Sequence, residues 1–168
     1  MNDPGVVNQS RGEYVIYGKP DRSGRRSEYP VAYTLAAFEE FERQTGKVAL
    51  DLVMHIVEIV TAHDLDMENL QLPEAITLGR VLSIGTTDVK QMIRCGLIGY
   101  ADHGKSRGTP KLGDARISEI IADVGGVMAV FVQVAVIWLR SELLMGDLLT
   151  DLDGESADDD EGEAADPS

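Results

Sequence analysis

Residues 127–139 read Val-Met-Ala-Val-Phe-Val-Gln-Val-Ala-Val-Ile-Trp-Leu, and Gln133 is the single polar side chain among them. No other window of the chain is as apolar, so the rest of the domain is expected to pack around it. The β-branched residues allow a strand, but strands usually run 4–8 residues and helices about 10–12 or more, so the length favours a helix. No turn residue separates the run from Arg140-Ser141-Glu142-Leu143-Leu144, which is expected to continue as helix. A helix apolar all round is either buried or in a membrane, and a membrane span needs about 20 apolar residues. This run is shorter and ends at Arg140 and Glu142. A buried central helix fits best, ahead of a strand and then of a membrane segment.

The 168 residues suit one domain, long enough to bury a sizeable core. Cys95 is the only cysteine, which excludes an internal disulfide and fits a reducing compartment. Residues 1–10 show no basic region followed by an apolar run, so no signal peptide is expected. The net charge of −14 is unevenly spread: residues 147–168 hold ten acidic groups and no basic one, leaving about −4 for the rest. No basic patch is large enough to suggest a nucleic-acid partner.

In chain order, residues 1–10 contain Pro4, Gly5, Asn8 and Gln9 and are expected to lack fixed structure. Tyr14-Val15-Ile16-Tyr17 and Tyr29-Pro30-Val31-Ala32-Tyr33 are rich in strand formers, and the turn residues between them suggest a β-hairpin over 13–33 with a long, basic, exposed loop. Pro30 cannot donate a ladder hydrogen bond, so its strand belongs at an edge or starts late. Helices then fill 34–145. Thr34 is a candidate N-cap, and Leu35, Phe38 and Phe41 form one apolar stripe, with Gly46 as the C′ stop.

A second helix over 47–63 carries Val48, Leu52, Ile56, Ile59 and Val60 on one face. A third opens at Pro73, suited to the first helical position, and carries Ile76, Val81 and Leu82 until Gly85 breaks it. Thr86 or Thr87 can cap a fourth, through Val89, Met92, Ile93 and Leu97, where Gly96 and Gly99 would admit close helix packing. Residues 103–113 read as a loop. Asp114 to Val124 forms a short helix with Ile117, Ile120, Ile121 and Val124 on one face, and Gly125-Gly126 separates it from the central helix. The fold expected is mainly α with a small N-terminal β-hairpin: a helical bundle around the buried C-terminal apolar helix, one globular domain over 11–146. Residues 147–168 cannot bury enough surface to offset their ordering entropy and are expected to be a disordered acidic tail. Leu148, Leu149 and Leu152 are its only large apolar residues and either extend the last helix or form a short docking motif.

The search for chemistry yields no catalytic, cofactor-binding or metal-binding residues. His55 and His63 are two helical turns apart, too far for an i, i+4 ligand pair, and with His103 they show no zinc spacing. His63-Asp64 as an acid–base pair is outweighed by a His at a helix end near the last carbonyls. Cys95 within an apolar helical pattern reads as a buried thiol rather than a nucleophile. Gly104-Lys105-Ser106 ends like a phosphate-binding loop, but that loop needs a Gly where Tyr100 stands. Asp64, Asp66, Glu68 and Glu74 lack the central Gly and spacing of a calcium loop. Two basic clusters, Lys19, Arg22, Arg25 and Arg26, and Lys105, Arg107 and Lys111, are solvated loops by default; the alternative is contact with an acidic partner or with the chain's own tail. Binding is therefore the expected function, without enzymatic activity.

One pattern goes further. A polar hairpin runs into Thr34-Leu35-Ala36-Ala37-Phe38-Glu39-Glu40-Phe41-Glu42-Arg43-Gln44-Thr45-Gly46-Lys47; Met92-Ile93-Arg94-Cys95-Gly96-Leu97 follows; then Ile117-Ser118-Glu119-Ile120-Ile121-Ala122-Asp123-Val124-Gly125 leads into the apolar helix. Over residues 13–144 this order resembles the tail assembly chaperones of long-tailed phages and gene transfer agents. It departs from them in the length of residues 63–87 and in Arg94-Cys95, where the family usually has a bulky aromatic. The resemblance implies a small, mostly helical, non-enzymatic protein of the host cytoplasm, made during phage or prophage morphogenesis. It would coat the tape-measure protein and recruit tail-tube subunits, with self-association possible and neither cofactor, membrane nor nucleic acid involved. In many relatives a programmed frameshift extends some copies, and the acidic segment stands where such a change begins. The alternatives are a structural virion component, such as a tail-tube or neck protein, and a small enzyme with an unrecognised site.

Overall fold

The computed structural model describes residues 4–102 and 112–146. The loop expected at 103–113 is thus described only in its last two residues, and the tail at 147–168, with Leu148, Leu149 and Leu152, lies outside the described residues. Three strands come first: β1 Gly5–Asn8, β2 Glu13–Tyr17 and β3 Glu28–Ala32. Seven helices follow among the described residues: α1 Leu35–Thr45, α2 Ala49–His63, α3 Leu72–Val81, α4 Thr86–Tyr100, α5 Asp114–Val124, α6 Val127–Leu139 and α7 Glu142–Met145. The protein is mainly helical with one small antiparallel sheet, in the order β1-β2-β3.

The first strand corrects the expectation that residues 1–10 lack fixed structure. Gly5 pairs with Val15 and Val6 with Tyr14, and a register shift between Val6 and Asn8 precedes a single 3-10 turn over Gln9–Arg11. Asn8 caps that turn by accepting from Arg11 N, and Gly12 closes it at φ 67°. A four-residue strand broken by a bulge carries no alternating pattern long enough to read from the sequence.

The hairpin forms with Tyr14 opposite Val31 and Val15 opposite Pro30. Gly18 N donates to Ser27 O (2.9 Å) and Tyr33 N to Gly12 O (2.9 Å), so the even positions of β2 bond to β3. Antiparallel pairs alternate between bonded and non-bonded, so Pro30 occupies a non-bonded pair and its missing N–H faces away from β2. The proline sits on an edge strand, as its chemistry requires.

Gln133, in the middle of α6, completes the sheet where β1 runs out. Its Oε1 accepts from Tyr17 N (2.9 Å) and its Nε2 donates to Tyr17 O (3.0 Å), the same pair of bonds a neighbouring strand would make. The side chain is buried, so both ends of the amide are satisfied inside the protein.

Around it, Val130 to Trp138 of α6 are all buried. Trp138 receives three rings edge-on: Tyr33 at 5.7 Å, Phe38 at 5.3 Å and Phe41 at 5.1 Å between centroids. Such offset contacts contribute beyond area burial. The indole N–H of Trp138 is buried without a well-formed hydrogen bond among the described residues. The expected continuation of this helix through Arg140-Ser141 is corrected: Ser141 is extended (φ −73°, ψ 113°), and α7 is a separate single turn.

Thr34 caps α1, its Oγ1 accepting from Ala37 N (3.2 Å), and Gly46 stops it in the left-handed conformation (φ 69°). Leu35 is exposed, so the buried stripe is Ala37, Phe38 and Phe41 instead. Pro73 is the second residue of α3, one position later than expected, and Gly85 stands at the N-cap of α4, where its N–H donates to Asp88 Oδ2 (2.7 Å). On α4, Gly96 and Gly99 do allow close packing, but against the strand rather than another helix. A Cβ at Gly96 would lie 2.7 Å from Tyr33 Cζ, and one at Gly99 would collide with the Ala32 carbonyl oxygen.

Three substitutions measure these contacts by urea denaturation. Phe131, fully buried, should cost about 3–5 kcal/mol when changed to Ala, through lost transfer energy and a cavity. Gln133→Leu strands the N–H and C=O of Tyr17 and should cost about 1–3 kcal/mol. Gly99→Ala forces α4 off β3 and should cost about 1–3 kcal/mol, as overpacking does. A midpoint equal to the parent's in any of the three disproves that contact's role.

Candidate functional site

The residues with catalytic potential are scattered. His55 is exposed and its Nδ1 bonds Asp51 O (2.8 Å), one turn back on α2. His63 closes the same helix, followed by Asp64 in the left-handed conformation (φ 50°), and both are exposed. Asp66 accepts from Asn69 Nδ2 (2.6 Å) and Glu74 from Gln71 N (2.8 Å), so two members of the acidic stretch close local turns. Among the described residues no group of three His, Cys, Asp or Glu side chains could hold a metal ion. His103, Lys105, Arg107, Lys111 and the Gly104-Lys105-Ser106 triplet lie outside the described residues. No single described helix is long and apolar enough to cross a membrane; α5 and α6 meet the test together but are bent by 86°.

Cys95 is buried against α1. Burial pushes its thiol up to about 12, and the Glu40 carboxylate works in the same direction. The nucleophile is the thiolate, so at neutral pH this thiol is inert. Burial likewise raises Tyr33 well above the usual phenol range, with Cys95 adding to it and the Trp138 indole pulling weakly the other way. The Tyr33 hydroxyl donates to Met92 O (2.9 Å), which locks it protonated.

The feature that offers something to a partner is apolar. Between α2 and α3 lie two open cavities that share Val81 as a wall, together called the groove below. One, about 490 Å³, is walled by Ile59, Leu65, Pro73, Thr77, Leu78 and Val81. The other, about 350 Å³, includes Lys47, Val48, His55 and, again, Val81. Some of the polar atoms at its edge are used by the chain itself: Thr77 Oγ1 donates to Pro73 O (2.9 Å), Glu74 caps α3, and Lys47 Nζ donates to Ser83 O (2.9 Å). What remains for a ligand is apolar wall, with the side chains of His63 and Asp51 beside it. Of the exposed large apolar residues, Val81 (63% exposed) and Val48 (47%) line the groove, while Leu50, Met54 and Ile76 are exposed elsewhere on α2 and α3.

The sequence reading assigned one apolar face to α2. The helix has a second, with Leu50, Met54 and Val57 at i, i+4 and i+7, and only Val57 of these is partly covered. The signal was present: apolar residues at those spacings cannot share the face of Leu52 and Ile56. On α3 the assignment was reversed for Ile76 and Val81, which are exposed, while Ala75, Leu78 and Leu82 face the core. Comparison with protein-family models, with curated proteins and with solved structures returned no match.

The buried thiol gives a signed pH dependence. Free cysteine titrates near pH 8.5, so from there to about 12 the folded chain holds a proton at Cys95 that the unfolded chain has lost. Stability must fall with rising pH across that window and be unaffected by Cys95 below it. At pH 10 the expected loss is about 2 kcal/mol, at about 1.4 kcal/mol per pH unit above the unfolded value. Comparing urea midpoints at neutral pH and pH 10 for the parent and Cys95→Ala checks this; an equal alkaline loss in both would assign it elsewhere. Rapid labelling of the native thiol, at the rate of the unfolded chain, would equally contradict the burial.

Proposed function

We propose that the protein is a non-enzymatic tail assembly chaperone, acting in the host cytoplasm to hold the tape-measure protein and bring tail-tube subunits to it during phage tail morphogenesis. The observation that carries this reading is the exposed apolar groove between α2 and α3. It joins the resemblance of residues 13–144 to that family. A tape-measure protein is long and helical, and its apolar stripes need cover before the tube encloses them. An amphipathic helix lays such a stripe into a hydrophobic groove through side chains at i, i+3, i+4 and i+7. The two parts of the groove, on either side of Val81, offer two seats of this kind.

In this reading the helices form a bundle with α6 as its buried axis. The scaffold stays rigid because α6 keeps its apolar surface inside, while α2, covered on one face only, is free to offer the other. The apolar walls of the groove suit a chaperone that must grip many similar segments along one partner, since apolar contact discriminates little between them.

The test is co-purification with the tape-measure protein encoded beside this gene. Val48→Glu together with Val81→Glu places charge in both parts of the groove. Both positions are exposed, so stability should change by no more than about 0.5 kcal/mol each. Recovery of the tape-measure protein should fall at least tenfold, since burying an unpaired carboxylate against hydrocarbon costs several kcal/mol. Undiminished recovery would remove the groove from the reading. Finding the chain in finished particles would replace the chaperone with a structural virion component.

A further inference from the structure

The hairpin loop between β2 and β3 is basic, exposed and held in one shape. Asp21 organises it: one carboxylate oxygen, Oδ1, accepts from Ser23 N (2.7 Å), Ser23 Oγ (2.6 Å) and Arg25 N (3.0 Å). The backbone adds Asp21 N to Arg25 O (2.7 Å) and Gly24 N to Asp21 O (3.0 Å), with Gly24 in the left-handed region at φ 82°. The base of the loop is fixed to the end of α5, where Lys19 N donates to Asp123 O (2.9 Å) and Tyr29 Oη to Asp123 Oδ2 (2.7 Å). The only carboxylate inside the loop is thus turned into the turn. Lys19, Arg22, Arg25 and Arg26 are left exposed, and no acidic side chain among the described residues forms an ion pair with the three arginines.

Three guanidinium groups on a preformed turn make an anion-binding surface that has already lost the entropy of ordering its backbone. The same chain carries ten acidic groups and no cation in residues 147–168. We propose that this acidic segment docks in cis on the cationic hairpin loop of its own copy. Geometry allows it. The loop lies at the α5–α6 junction, through Lys19 and Asp123, while Arg140 O, at the far end of α6, accepts from Tyr14 Oη (3.2 Å) near where the acidic segment begins. The 13 residues of α6 put these ends about 20 Å apart. A segment of 22 residues, at about 3.3 Å per residue when extended, reaches well beyond that separation.

The contact needs neither the groove nor its partner.

The experiment uses the full chain. Ser156→Cys places a nitroxide in the acidic segment without altering its charge, and the parent chain treated identically controls for labelling at Cys95. At 0.01 M salt, where the Debye length is about 30 Å, the amide signals of residues 21–26 should lose most of their intensity. At 1 M salt, where it is about 3 Å, they should recover. Arg22→Glu with Arg25→Glu and Arg26→Glu should abolish the loss, as should Asp158→Asn with Asp159→Asn and Asp160→Asn, while the amides of the helices stay in place. Undisturbed loop amides at low salt, or a loss indifferent to salt or to both sets of variants, overturns the proposal. An equal loss when label and isotope are on different copies in a mixed sample overturns it in favour of a contact between copies.

Discussion

The amide of Gln133 decides how the sheet sits against the longest apolar run in the chain. Apolar surface has no preferred orientation; hydrocarbon on α6 would accept many neighbours at nearly equal free energy. A buried amide accepts few, because each unsatisfied end costs about 1–3 kcal/mol. Tyr17 offers an N–H and a C=O at the spacing that a primary amide matches. That match selects one register of β2 along α6. With β2 set, the pairing of Tyr14 with Val31 sets β3, and Tyr33 follows into contact with Trp138. A single polar residue thus converts a general preference for burial into one arrangement.

Much of the helical layout was legible from the chain. The bounds of α5, the start of α6, the Thr34 cap and the Gly46 stop follow from local rules that need no knowledge of neighbours. What escaped depended on neighbours. β1 exists because β2 has a free edge to pair with. Ser141 breaks the last helix although Arg140, Ser141 and Glu142 contain no local stop. Gly96 and Gly99 announced a close approach, but only the fold could say that the partner is a strand edge and the Tyr33 ring.

The candidate site was legible in part for a different reason. Periodicity marks which residues are apolar along a helix, not which face wins the core. On α2 two faces compete, and on α3 the smaller set, Ala75, Leu78 and Leu82, is the one buried. Alanine at the contact lets α3 approach closely and leaves Ile76 and Val81 outside, where a partner can reach them. The absence of a catalytic cluster in the sequence directed attention to binding, but the groove itself arises only when two helices that are distinct in the sequence lie side by side.

The register of Pro30 has a further consequence for how copies of this chain behave at high concentration. β3 is the outer strand, and Glu28, Pro30 and Ala32 turn their backbone groups away from β2. An incoming strand would find no donor at Pro30, and at Ala32 it would meet α4, whose Gly99 already covers the carbonyl oxygen. The edge is blocked at its centre and at one end. Exposed strand edges template the stacking of further chains into fibrils. A protein that carries exposed apolar surface on its helices gains most from such a block, because this edge of its sheet gives a second copy little to pair with.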